Sequence, residues 1–183
     1  MPQFRICTFG IQKLTHALAG RNVAAKEMEA AWRPTKGRKP EKKDPLLIDQ
    51  ALSDCWFKPT VMADARFFRP IGTERSGHTG CSVTHSATLV DRSDFQDFWQ
   101  PLLKRIRDAH AGGYHPVNIA VYCRAGEKRS VSIAWLLSAS LKRRQWVELE
   151  PVRHLCSMFW RRKTCNSASR IGRPLSMSLP EDF

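Results

Sequence analysis

The residues best placed to do chemistry lie together in Val121-Tyr122-Cys123-Arg124-Ala125-Gly126-Glu127-Lys128-Arg129-Ser130-Val131. An apolar run ends at Cys123, a short loop turns, and helix-forming sequence follows. Backbone N–H groups at such a turn point inward, and a helix start carries about half a positive charge, so this turn suits a dianion. Gly126 lets the chain curl tightly. Arg129 can grip two phosphate oxygens at once, and the Ser130 hydroxyl is within reach of the Cys123 sulfur. A field that holds a dianion also holds a thiolate, so the same spacing admits nucleophilic chemistry at Cys123. The plainer alternative is a strand-to-helix junction whose cysteine only packs.

Other candidates are scattered. Asp64 and Arg66, two apart on an expected strand, would project to one face, as a ligand-holding pair or as an internal ion pair. His78-x-x-Cys81-x-x-x-His85 offers three metal-type side chains, but structural zinc usually takes four in tighter pairs, so no metal site is assigned. Asp91 and Asp94, about 30 residues before Cys123, could serve a phosphoryl-transfer reaction as general acid, provided one reached about 3 Å from the leaving oxygen. Two basic groups, Lys142-Arg143-Arg144 and Arg161-Arg162-Lys163, lie near Trp146 and Trp160, a combination that suits nucleic-acid phosphates and bases. Cations at a helix C-terminus are also favoured by the dipole alone.

The elements needed to position these groups can be read from periodicity. A β-prone run covers 4–10, a second strand 59–68, and a buried parallel-type strand 117–122. Residues 69–86, dense in Gly, Pro, Ser and Thr, read as a loop. Ser93 with Gln96 forms a capping box before a helix carrying Phe95, Phe98, Leu102 and Ile106 on one face, which Pro101 should kink or split. A helix over 129–144 follows the loop, and 146–149 fits a further strand. Helix-prone stretches also cover 21–32 and 44–52. Strand–helix alternation predicts a single α/β domain: a mostly parallel sheet, helices on both faces, and a strand–phosphate loop–helix unit.

Two families share these patterns. The spacing Cys-x-x-Gly-x-x-Arg-Ser resembles the phosphate loop of dual-specificity cysteine phosphatases, although Tyr122 stands where they have histidine. More of the chain resembles the C-terminal domain of RapZ-type RNase adapters: Asp64-Ala65-Arg66-Phe67-Phe68, His78-Thr79-Gly80 and residues 123–131, in order, with Thr8-Phe9-Gly10 before them and Val152-Arg153-His154-Leu155 after. That resemblance covers most of 58–156 and the first strand. It implies a regulatory adapter's binding module for a phosphorylated amino sugar and structured RNA, often oligomeric. It implicates Asp64, Arg66, Thr79, Gly80, Gly126, Arg129 and Ser130 in the ligand pocket, beside Cys123. The family usually has Thr-Gly-Gly after the cysteine and histidine at position 128, where this chain has Arg124-Ala125-Gly126 and Lys128. No Gly-x-x-x-x-Gly-Lys-Ser/Thr occurs in these residues, so no counterpart of its kinase-like N-terminal domain is expected among them.

Composition sets the bounds. The 183 residues suit one domain: residues 1–165, interrupted by an insertion at 11–57 that holds a basic loop at 33–43, with a flexible tail at 166–183. Thirty Lys+Arg against 17 Asp+Glu give a net charge of +13, which points toward polyanionic partners. The sequence has no run of the ~18–20 apolar residues that a membrane-spanning helix needs, so no membrane partner is expected. The start lacks a secretory pattern, and six cysteines lie scattered without a Cys-x-x-Cys pair, as in an intracellular, cytoplasmic protein. The expectation is a non-catalytic binding domain for a phosphorylated small molecule or RNA phosphates, needing no cofactor and able to self-associate. The alternative is a cysteine-dependent phosphatase using Cys123, Arg129 and Asp91 or Asp94.

Overall fold

Residues alternating in and out of an apolar core organise the molecule, as seen in a computed structural model that describes residues 4–11, 57–69, 80, 82–143 and 151–155. Strand β1 spans Phe4–Gly10 and β2 spans Val61–Asp64, followed by a 3-10 turn over Ala65–Phe67. Helices α1 (Val83–Val90) and α2 (Phe95–Ala111) lead to β3 (Val117–Cys123), α3 (Arg129–Arg143) and β4 (Arg153–His154). The described strands form one parallel sheet in the order β2-β3-β1-β4. The chain is thus a single α/β domain with a strand–loop–helix unit at its centre. Among the described residues, no helix is long and apolar enough to cross a membrane.

Strands β1 and β3 read as near-continuous apolar runs because both of their faces are covered. In register, Phe4, Ile6 and Thr8 stand opposite Val117, Ile119 and Val121. The apolar members of this face join Trp99, Leu102 and Ile106 of α2 and Ile133 and Leu137 of α3 in the main core. The alternate residues Cys7, Phe9, Ala120 and Tyr122 face the other way and are buried too. Phe68 is fully buried against α2, its ring 6.1 Å from Phe95 and 4.9 Å from Phe98, and Phe95 in turn stacks on Trp99 at 5.2 Å.

Several expected elements differ. The second strand ends at Asp64, not at 68, because the Asp64 carboxylate accepts the Arg66 N–H at 3.0 Å and turns the chain. Part of the expected loop at 69–86 is helical: α1 forms despite its β-branched residues because Leu89 is buried in the core, so packing outweighs propensity. The capping box does not form; Asp94 is the N-cap of α2 and makes no side-chain cap bond, since Arg92 holds its carboxylate. Pro101 does not split α2, which runs unbroken past it. Pro101 and Asp97, whose carbonyl the proline cannot serve, lie on the exposed side where water can. Strand β4 lies at 153–154, beyond the expected 146–149, which falls outside the described residues. So do the helices expected at 21–32 and 44–52, the basic loop at 33–43 and the tail at 166–183.

The strand order fixes where a site can form. The chain leaving β1 goes to β2, beyond β3, whereas the chain leaving β3 goes to β4, beyond β1. Adjacent carboxyl ends therefore send the chain in opposite directions. The carboxyl ends of strands at such a reversal are where open parallel sheets bind ligands, and here those ends are Gly10 and Cys123, which are paired in register.

Candidate functional site: the loop after β3

The loop at 124–128 is shaped by backbone contacts that only glycines permit. Gly126 sits at φ +72°, in the left-handed region. A methyl group there would lie 2.7 Å from Gly10 Cα and 2.8 Å from Phe9 C, so the loop rests on the end of β1 with no space between. From the other side, Gly80 donates its N–H to the Glu127 carbonyl at 2.8 Å, and Ser132 Oγ donates to the Gly80 carbonyl at 2.7 Å. A side chain on Gly80 would collide with Lys128 and with the Ser132 amide. Gly80, expected to line a ligand pocket, is thus a brace for the loop.

Within the loop, two polar groups meet the cysteine. Gly126 N–H donates to Cys123 Sγ at 3.2 Å, and Ser130 Oγ lies 3.2 Å from the same sulfur. Cys123 and Ser130 are both buried. Gly126 thus turns its amide onto the sulfur three residues before the 15-residue α3 begins. The loop's own cations differ in placement: Arg124 is exposed, whereas Lys128 is half-buried.

Arg129 is positioned differently from the sequence expectation. It is 8% exposed, and its Nη1 donates to the carbonyl of Phe68 at 2.5 Å, across 61 residues of chain. Its guanidinium therefore ties the start of α3 to the segment after β2.

Asp64 and Arg66 do meet, but through the turn rather than along a strand. Arg66 Nε lies 2.8 Å from Asp64 Oδ1, and Nη2 lies 2.6 Å from Oδ2, in a two-pronged ion pair. The Arg66 guanidinium sits 5.4 Å from the centre of the Tyr122 ring, which stacks on Phe9 at 5.4 Å. Burial first, and then the Asp64 charge, push the Tyr122 phenol far above its ordinary range, so it stays protonated. By strand alternation, Asp64 and its register partner Tyr122 belong to the sheet face opposite Cys123. The pair thus borders the carboxyl ends of the strands without touching the sulfur.

Neither candidate general acid hydrogen-bonds the sulfur. Among the described residues, the hydrogen-bond partners of Cys123 Sγ are Gly126 and Ser130. Asp91 is exposed at the C-cap of α1. Asp94 is gripped by Arg92 at 2.7 Å through both oxygens. Those bonds hold its carboxyl below the usual range, so it favours the ionised form and is a poor proton donor.

On the other flank, Thr8 Oγ1 and His154 Nδ1 are 2.7 Å apart, joining β1 to β4. Burial keeps the His154 imidazole below its ordinary value and therefore neutral near pH 7. Sequence reasoning had no signal for this contact or for the Phe68 carbonyl. Of the metal-type residues, His85 is buried on α1, while His78 and Cys81 fall outside the described residues; within those residues, no group of three or more His, Cys, Asp or Glu could hold a metal ion. Lys142 and Arg143 are exposed at the end of α3. Thr79, Arg144, Arg161, Arg162 and Lys163 lie outside the described residues. Comparison with known proteins gives no match: no family model, no curated protein and no solved structure proves similar to the chain.

Proposed function

We propose that the chain is a non-catalytic binding domain that holds a phosphate-bearing dianion at residues 123–130: a phosphorylated small molecule of the amino-sugar phosphate kind, or a phosphate of RNA. The observation that carries this is the Gly126 N–H turned inward onto Cys123 in the loop that leads into α3, at the carboxyl ends of β1 and β3. The resemblance to RapZ-type adapter domains supports the same ligand class. RNA as a partner is supported by the net charge of +13 and by the exposed Lys142 and Arg143. Self-association and an intracellular, cytoplasmic setting belong to the same proposal, the latter in keeping with the free thiol of Cys123.

The phosphatase alternative draws on the contacts of Gly126 N–H and Ser130 Oγ with the Cys123 sulfur. It is disfavoured by Asp94, held ionised by Arg92. Calorimetric titration with inorganic phosphate and with a hexosamine phosphate tests the proposal: saturable binding is expected, and no heat at millimolar ligand would remove it. Turnover of p-nitrophenyl phosphate that is lost in Cys123→Ser would transfer the chain to the phosphatase class. For RNA, affinity should fall by orders of magnitude between about 50 and 200 mM salt if six or more phosphates are neutralised. A flat salt response in filter binding would sink the RNA part.

A further inference from the structure

We infer that Arg129 is a positioning residue that couples occupancy of the 123–130 loop to the segment after β2, so that a bound dianion tightens residues 65–69 and the aromatic stack they anchor. The inference rests on dianion binding at this loop and adds its consequence elsewhere in the molecule.

Arg129 is the first residue of α3, immediately beyond the loop, and is almost wholly buried. One nitrogen of its guanidinium donates to the Phe68 carbonyl. A guanidinium carries five N–H donors in a rigid plane, so a carbonyl and a phosphate can be held by one group at once. A buried cation gains most from a nearby anion, because charge-assisted bonds are roughly twice as strong as neutral ones. Leaving Phe68 would strand a carbonyl among buried groups, which costs about as much as a lost hydrogen bond. The cheapest bound state therefore keeps the Phe68 bond and adds the phosphate, fixing the guanidinium from two sides.

What Arg129 holds is not an isolated carbonyl. The Phe68 ring is fully buried between Phe95 and Phe98, with the Arg92 guanidinium 5.7 Å from its centre. Its neighbour Phe67 packs on the rings of both Phe68 and Phe98 and is 49% exposed. Fixing Phe68 thus fixes an aromatic group at the surface, next to the Asp64–Arg66 pair. By linkage, whatever orders this segment from outside must in turn tighten dianion binding by the same factor.

The test is hydrogen exchange of the full chain with and without saturating inorganic phosphate, beside calorimetry on the same samples. Phosphate should slow exchange in peptides covering 65–69 by about five-fold or more and leave peptides from the C-terminal half of α2 unchanged. Binding by calorimetry with unchanged or faster exchange at 65–69 overturns the coupling while leaving dianion binding intact. No binding by calorimetry removes both. Arg129→Lys keeps the charge but not the two-sided plane. If it folds, as judged by circular dichroism, it should lose the slowing at 65–69, and slowing that persists would overturn the assignment to Arg129. Should that variant fail to fold, the wild-type exchange pattern decides alone.

Discussion

Replacing Gly126 with alanine separates two reasons why glycine stands there. The first is backbone conformation: at φ +72° a side chain costs about 1–2 kcal/mol. The second is space, because the new methyl would meet the backbone of Phe9 and Gly10 at distances no real Cβ keeps. Forcing such a group into packed structure costs about 1–3 kcal/mol. Against both runs a gain of about 0.4–1 kcal/mol, since alanine narrows the unfolded ensemble. Gly126→Ala should therefore destabilise by about 2–4 kcal/mol. Gly113 supplies the control: it has φ +86°, yet nothing lies within 4 Å of where its methyl would sit. Gly113→Ala carries the conformational cost and the unfolded-state gain but no collision, and should cost about 1 kcal/mol or less. Urea unfolding followed by circular dichroism measures both. With a slope of about 2 kcal/mol/M, the Gly126 variant should melt at about 0.5–1.5 M less urea than the Gly113 variant. Equal midpoints would refute the close seating of the loop on β1, and with it the account of how the site is shaped.

Two further outcomes follow from the flanks of the site. Because burial lowers the His154 imidazole in the folded chain, the unfolded chain binds its proton more readily; the stability it confers is present above about pH 6.5 and is lost as pH falls. Thermal unfolding between pH 7.5 and 5.5 should accordingly show a steeper loss for wild type than for His154→Gln, and parallel curves would reject that role for His154. Iodoacetamide modification of Cys123, mapped by peptide, should be slowed by saturating phosphate while Cys7, buried within β1, is unaffected; equal rates at Cys123 with and without phosphate would place the anion elsewhere.

The parts legible in the sequence were those held by neighbours in the chain. The run from Val117 through Ser130 announced a strand, a turn and a helix, and its Cys123–Gly126–Ser130 contacts span only seven residues. What stayed hidden runs through main-chain atoms and long separations. No side-chain pattern reports that Arg129 seeks the carbonyl of Phe68, or that Gly80 is needed because Lys128 passes over it. Asp64 and Arg66 were matched correctly on a mistaken geometry, since both a strand and a tight turn bring residues two apart together. Helix α1 was missed because Val83, Thr84, Thr88 and Val90 disfavour helix locally, and the burial of His85, Ser86 and Leu89 decides for it.

The seating of Gly126 on Gly10 has a consequence for how the molecule is assembled. One wall of the loop is made by the first strand, more than a hundred residues earlier in the chain. Closing so long a connection is slow, because its entropy is spent before the contact returns anything. A fragment starting at residue 57 would carry every chemical group of the loop, from Cys123 to Ser130, yet lack the surface that shapes it. Such a fragment should bind phosphate poorly and recover when a peptide of the first strand is supplied in trans. During refolding of the whole chain, protection of Cys123 against a pulse of alkylating agent should appear only once β1 has paired with β3. The shape of the loop is thus a checkpoint on the pairing of β1 with β3 across more than a hundred residues.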